Sequence, residues 1–189
     1  MPRRPRPLQF SASLRTHPPM TLVACRLPTP LGEMLAVASP RGLCLLEFAG
    51  QPRVDRELAQ VEAARGGPAQ QGSNAVTEQL AAELADYFSG RRQAFGVPLD
   101  LVGTPFQRAA WQALQAIPYG STRSYAEQAR AIGRPTAVRA VAAANGQNKV
   151  SIVVPCHRVI GSDGSLTGFG GGLPRKRALL ALEGRGRQP

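Results

Sequence analysis

The pattern of apolar residues and chain breakers changes character once along the 189-residue chain, across a linker at residues 91–103, and the two sides point to different architectures. From Thr21 to Phe48, short apolar runs are broken by Pro28-Thr29-Pro30-Leu31-Gly32 and by Pro40-Arg41-Gly42, the punctuation of a strand meander. Residues 51–65 carry a weak helical pattern. After a loop at 66–73, Asn74 is placed to cap a helix with Val76, Leu80, Leu84, Tyr87 and Phe88 on one face, stopped at Ser89-Gly90. Beyond the linker the pattern is helical. Thr104 is an N-cap, Pro105 takes the first helical position, and Phe106, Ala109, Ala110, Leu114 and Ile117 form a stripe ending at Pro118-Tyr119-Gly120. Ser124 and Glu127 make a capping box for a short helix through Ile132, and Gly133-Arg134-Pro135 turns into a second helix over 136–145. Helix, glycine-containing turn, helix is the helix-turn-helix pattern. A last helix starts at Pro174, turns Ala178, Leu179 and Leu182 inward, and stops at Gly184.

Charge follows the same division. The formal net charge is +11, of which residues 101–184 carry +7 and residues 20–100 carry −2. Residues 1–19 add four arginines among five prolines, which predicts a disordered basic arm, and 185–189 form a short basic tail. A cationic C-terminal half is an electrostatic footprint for a polyanion, with nucleic acid the leading partner. The second helix of the pair, Thr136 to Ala144, is almost all small residues with one long cation, Arg139. Such a helix can lie close to a groove while the arginine enters the base stack, although an alanine-rich helix packed on its neighbour reads equally well. With no long apolar run and no signal segment, the expectation is a soluble, cytoplasmic protein without a membrane partner.

Three cysteines, Cys25, Cys44 and Cys156, lie far apart without metal-ligand spacing, which fits a reducing compartment and neither a disulfide framework nor a cysteine-rich zinc site. One of them stands apart. In Val154-Pro155-Cys156-His157-Arg158-Val159-Ile160, the β-branched run Ser151-Ile152-Val153-Val154 predicts a buried strand ended by Pro155, with Cys156 presented on the following turn. A thiol reacts as its thiolate and needs a base or positive charge close by, and His157 and Arg158 supply both types. Adjacent side chains diverge, so a bridging water between Cys156 and His157 is the simpler geometry. Glu183, set against the helix dipole in the last turn, is the natural partner to fix the His157 tautomer.

Taken together, Asn148 to Ile160, Gly168-Phe169-Gly170-Gly171-Gly172 and Leu179 to Gly184 resemble the O6-alkylguanine-DNA alkyltransferase family in its bacterial branch. The likeness is strong over 104–184 and looser over 20–100. It implies an α/β protein: an N-terminal ribonuclease-H-like α/β domain at 20–100, and at 101–184 a mostly helical domain that binds DNA through its helix-turn-helix and carries the alkyl acceptor.

The resemblance also implies roles. Cys156 matches the alkyl acceptor, His157 and Glu183 a water-bridged proton relay, and Asn148 the residue ordering that relay and its turn. Tyr125 matches the tyrosine that bonds the guanine ring, the carbonyls of Cys156 and Val159 read the guanine amino group, and Ser151 and Gly170 also belong to the base site. Arg139 matches the finger that replaces an extruded base, with Thr136, Ala140 and Ala142 on the same DNA-facing helix. Phe169 stands where many relatives have tyrosine, so the backbone near Gly170 takes over. Positions that hold zinc in some relatives here include Met20 and Ser39, with only Cys44 able to ligate, so no metal and no cofactor is expected. The implied function is single-turnover repair of O6-alkylguanine, with O4-alkylthymine as a second substrate, by a monomer on double-stranded DNA on which several copies could bind cooperatively. Two rival functions fit the residues less well. A non-catalytic damage sensor would lack the acceptor cysteine, and a Cys-His-Glu hydrolase leaves the charge and the helix pair unexplained.

Overall fold

A computed structural model describes residues 21–184. The expected arm at 1–19 and tail at 185–189 lie outside the described residues.

The meander forms as its breakers dictate. Strands β1 (Val23–Leu27), β2 (Met34–Ser39) and β3 (Gly42–Phe48) pair antiparallel in succession. The turns fall at the proline and glycine clusters. Helix α1 (Val54–Arg65) follows, and the two-residue β4 (Gln70–Gln71) pairs parallel with β1, giving the order β3-β2-β1-β4. Asn74 caps α2 (Ala75–Phe88) by accepting from the Thr77 amide.

The linker is a structural element in its own right. It runs along the free edge of β3, where the Leu43 amide donates to the Pro98 carbonyl at 2.8 Å and Asp100 donates back to Leu43 at 2.9 Å. Gly42 permits this approach, since a Cβ there would stand 2.7 Å from the Leu99 backbone. Farther along the same strand, Leu46 donates to the Lys149 carbonyl and accepts from Ser151, both at 2.8 Å. An exposed strand edge is thus covered by two segments from outside the sheet.

The C-terminal half contains α3 (Pro105–Gln115), β5 (Arg123–Ser124), α4 (Tyr125–Ala131) and α5 (Val138–Gly146). A 3-10 turn (Cys156–Arg158), β6 (Val159–Ile160), paired parallel with β5, and α6 (Leu173–Gly184) complete it. The caps at Thr104 and Ser124 form as expected. The second helix of the pair starts two residues later than expected: Thr136 stays in the turn. Phe48, Leu80, Tyr87, Trp111, Leu114, Val154 and Leu179 belong to one core, so the halves share their apolar interior.

One expectation fails. Residues 151–154 form a tight turn instead of a strand, with Ile152 at φ +73°. Their β-branched side chains are buried as a strand's would be, but the chain leaves β3 after Ser151 because Asn148 draws it back on itself. Local propensity yields there to a side-chain clamp.

Candidate active site

Asn148 builds the turn that carries the thiol. Its Oδ1 accepts from the Val150 amide at 3.0 Å, and its Nδ2 donates to the Val154 carbonyl at 2.8 Å and to Cys156 Sγ at 3.2 Å. One buried amide therefore closes the loop that holds Ile152 in its disfavoured conformation and also touches the sulfur. Cys156 is buried, and burial pushes its thiol up to about 11, against the pull of the Asn148 hydrogen bond. At neutral pH the sulfur keeps its proton unless a base removes it.

The next residue presents that base. His157 is fully buried, and its Nε2 lies 2.8 Å from Glu183 Oε1. Burial favours the neutral imidazole more strongly than Glu183 favours the cation. Glu183 itself is held down at about 2: burial raises it, but the hydrogen bonds and charges of His157 and Arg158 more than offset that. An ionised carboxylate requires Nε2 to carry the proton, which leaves Nδ1 a bare acceptor. Nδ1 is buried and has no partner among the described residues.

Every other contact of Glu183 fixes its position. Arg158 donates through Nε (2.9 Å) and Nη2 (3.0 Å), the Tyr87 hydroxyl donates at 2.7 Å, and the Gly120 amide lies at 3.3 Å. Burial and the adjacent carboxylate push the Tyr87 phenol far up, so it acts as a donor only. Tyr87 comes from α2, in the other half of the chain. In the sequence it reads as one more apolar residue on a helix face, and Arg158 as a positive charge for the thiol, whereas its guanidinium bonds Glu183. The only signal was Glu183 itself, a charge at a helix end that disfavours it.

Around the thiol, the Tyr125 hydroxyl donates to the Thr167 carbonyl at 3.1 Å, and Phe169 stands edge-on to His157 with centroids 6.4 Å apart. The Val159 carbonyl accepts from Lys176 Nζ at 2.5 Å, and the Cys156 carbonyl accepts the Val159 amide, so each keeps one lone pair for a base. Lys176, fully buried with no carboxylate partner among the described residues, also donates to Thr167 at 2.7 Å and so ties the glycine loop to the cysteine turn. Sequence reasoning passed over it, although lysine occurs only twice in this arginine-rich chain.

Ser151 and Gly170, both expected at the base site, also border a second polar network. The Ser151 hydroxyl donates to Glu47 Oε1 at 2.8 Å, and a Cβ at Gly170 would collide with the Arg53 guanidinium. Arg53 pairs with Glu47 and donates to the Gly146 carbonyl at 3.0 Å. Glu47, a lone acid in an apolar strand, was the signal for this second network.

On the helix pair, Thr136, Arg139 and Ala140 are exposed and Ala142 is half-buried. Arg139 makes no ion pair among the described residues. In the other half, the Ser39 hydroxyl donates to Asp100 at 2.7 Å, and Cys44 is fully buried. No helix among the described residues is long and apolar enough to cross a membrane.

This geometry has close relatives. Residues 25–101 match the model of the 6-O-methylguanine DNA methyltransferase ribonuclease-like domain, and 105–185 that of its DNA binding domain. A methylated-DNA–protein-cysteine methyltransferase of Mycolicibacterium paratuberculosis is 51% identical over 81% of this chain and 93% of its own length. One of Methanosarcina barkeri is 41% identical over 83% and 94%. The crystal structure of the Mycobacterium tuberculosis O6-methylguanine methyltransferase superposes with a TM-score of 0.75 at 42% identity, covering 89% of this chain and 96% of that one. The crystal structure of OGT from the same organism in complex with DNA gives 0.73 at 41%, covering 87% and 93%. With both halves matched in order, the chain belongs to the 6-O-methylguanine DNA methyltransferase family.

Proposed function

We propose that this protein repairs double-stranded DNA by extruding O6-alkylguanine and moving the alkyl group to Cys156 in a single, irreversible turnover. The carrying observation is the buried His157 ring, held through Nε2 by an ionised Glu183, with Nδ1 free beside the cysteine turn. A water accepts the Cys156 proton and passes one to Nδ1. The thiolate then attacks the alkyl carbon, an S–C bond forms, and the C–O6 electron pair leaves with guanine, which is protonated at the ring. Tyr125 turns its hydroxyl proton from the Thr167 carbonyl to the base, while the remaining lone pairs of the Cys156 and Val159 carbonyls accept from its amino group. The product is a thioether that hydrolysis does not reopen, so one thiol serves once.

Binding rests on the other face. Arg139 fills the place of the extruded nucleotide, and the small residues around it let α5 approach the groove. A relative's structure in complex with DNA and the +7 charge of residues 101–184 support a DNA partner. We place the protein in the cytoplasm, as a monomer that uses no cofactor.

The test mixes the protein with a duplex carrying labelled O6-methylguanine and locates the label by peptide mass. Label saturates at one methyl per chain, all on Cys156, and Cys156→Ser transfers none yet binds DNA. Product beyond one equivalent without added thiol rules the mechanism out. Arg139→Ala slows repair in duplex far more than reaction with free O6-benzylguanine, which needs no extrusion. Equal losses would make Arg139 a residue of the fold.

A further inference from the structure

Beside α3 a cleft of about 660 Å³ is lined by Arg56, Glu57, Gln60, Thr104, Gln147 and Lys149. Two of these side chains, Lys149 and Glu57, are buried and only partly engaged: Glu57 Oε1 lies 3.7 Å from Arg53 Nε. Lys149, 6% exposed, passes over the Trp111 ring with Nζ 5.7 Å from its centroid and makes no hydrogen bond or ion pair among the described residues. Glu57, 3% exposed, has one carboxylate oxygen, Oε2, without a hydrogen-bond partner. The Lys149 ammonium opens on the cleft with no acceptor among the described residues, so it is placed to meet water or an anionic ligand there.

The charges near Lys149 are Glu57, Arg53 and Arg56, so cations outnumber the acid around the cleft. Its position ties it to the recognition helix. Gln147 caps the C-terminal end of α5 and is bonded to Gln107 in the first turn of α3. Eight residues separate Gln147 from Arg139, about 12 Å along the helix, so a duplex lying on α5 reaches both. Arg108, exposed and bonded to the Gly103 carbonyl at the rim, extends the positive border.

We propose that this cleft seats a phosphate of the DNA backbone, with Lys149 and Arg56 as the cations that hold it. The assignment rests on the DNA-repair reading but adds a contact from α1, in the half of the chain that does not carry the helix-turn-helix. A compact, tetrahedral anion suits the arrangement: the two cations take its charged oxygens, and the Glu57 carboxyl, in its protonated form, donates to a third. Phosphate in the backbone and phosphate free in solution share this chemistry, and the experiment separates them.

Duplex affinity is measured against salt for the wild type, Lys149→Met and Arg56→Gln, each checked by thermal melt. Loss of one phosphate contact lowers the slope of log K against log salt by about 0.9. It also weakens binding at low salt by about tenfold. Lys149→Arg restores both. An unchanged slope in a folded Lys149→Met overturns the proposal, and if that variant does not fold, exposed Arg56→Gln gives the same reading. In a second arm, inorganic phosphate is titrated against the melting temperature. A rise in the wild type that Lys149→Met abolishes, with the duplex slope unaltered, overturns the backbone assignment in favour of a free anion. Methyl transfer to Cys156, scored separately, tells failure of this contact from failure of the repair reading.

Discussion

Two buried carboxylate networks connect the halves of this protein, and they are finished to different degrees. At Glu183 both oxygens are occupied, by His157, Arg158, Tyr87 and the Gly120 amide, and the acid is held at about 2. At Glu47, Arg53 and Ser151 bond one oxygen only, and Glu47 Oε2, Arg53 Nε and Glu57 Oε2 have no hydrogen-bond partner among the described residues, although Arg53 Nε lies 3.7 Å from Glu57 Oε1. Burial and the nearby Glu47 raise Glu57 to about 7. The saturated network keeps a fixed charge at every working pH, which suits a relay whose histidine must stay in one tautomer. The unsaturated one changes charge near neutrality and borders a cleft, which suits a surface that takes up and releases a ligand.

The largest test breaks the saturated network. Glu183→Gln removes the charge that orders His157 and leaves Arg158 buried without its counter-ion, at a cost of about 3–5 kcal/mol. Single-turnover methyl transfer at pH 7 falls by about 100-fold and recovers as pH rises, because hydroxide replaces the relay. A flat comparison of wild-type and variant pH profiles in a folded protein would reduce Glu183 to a structural residue. Acid reads the same network in the wild type. The folded-state pKa lies below the unfolded one, so the Glu183 contribution is present above about 4.5 and is lost as pH falls toward 2.

Tyr87→Phe is the intermediate case. It deletes one donor to Glu183 and leaves the ring packing, so stability drops by about 1–2 kcal/mol. The transfer rate falls by about tenfold at most, with the pH profile moved in the same direction as for Glu183→Gln. A stability loss with an unmoved profile would confine Tyr87 to joining the halves.

The smallest effect comes from the unsaturated side. Glu57 titrates above its unfolded value, so its contribution is present below about pH 4.5 and is lost as pH rises through about 7. Glu57→Gln therefore flattens the fall in melting temperature between pH 5 and 8, by about 1 kcal/mol once solvent in the cleft is allowed for. An unaltered fall would show that another group titrates there.

Much of this was written in short-range chemistry. Asn74, Thr104 and Ser124 announce three helix starts because a cap is a contact between residues three apart. Cys156, His157, Asn148 and Glu183 were all named in advance. Their joint geometry was not derivable from spacing, and the resemblance supplied it. What stayed hidden lies across the interface of the halves: Tyr87 on Glu183, Ser151 on Glu47, Arg53 on the Gly146 carbonyl, and Lys149 at the cleft shared with α1. A residue read as core or as solvated charge within its own helix changes meaning when another half of the chain packs against it. The turn at 151–154 misled for a related reason. Its β-branched residues report burial, and only the Asn148 amide decides that the buried backbone turns.

The seam along β3 bears on what moves during repair. Linker and cysteine turn are both stitched to one strand by backbone hydrogen bonds, over a shared apolar interior. A body built this way has no natural hinge: opening it toward a base still stacked in a duplex would tear strand pairing and core together. The travel needed to bring sulfur and alkyl carbon into contact then falls on the nucleic acid, and the protein behaves as a rigid socket. It is spent by one reaction and has no cycle of opening and closing to preserve.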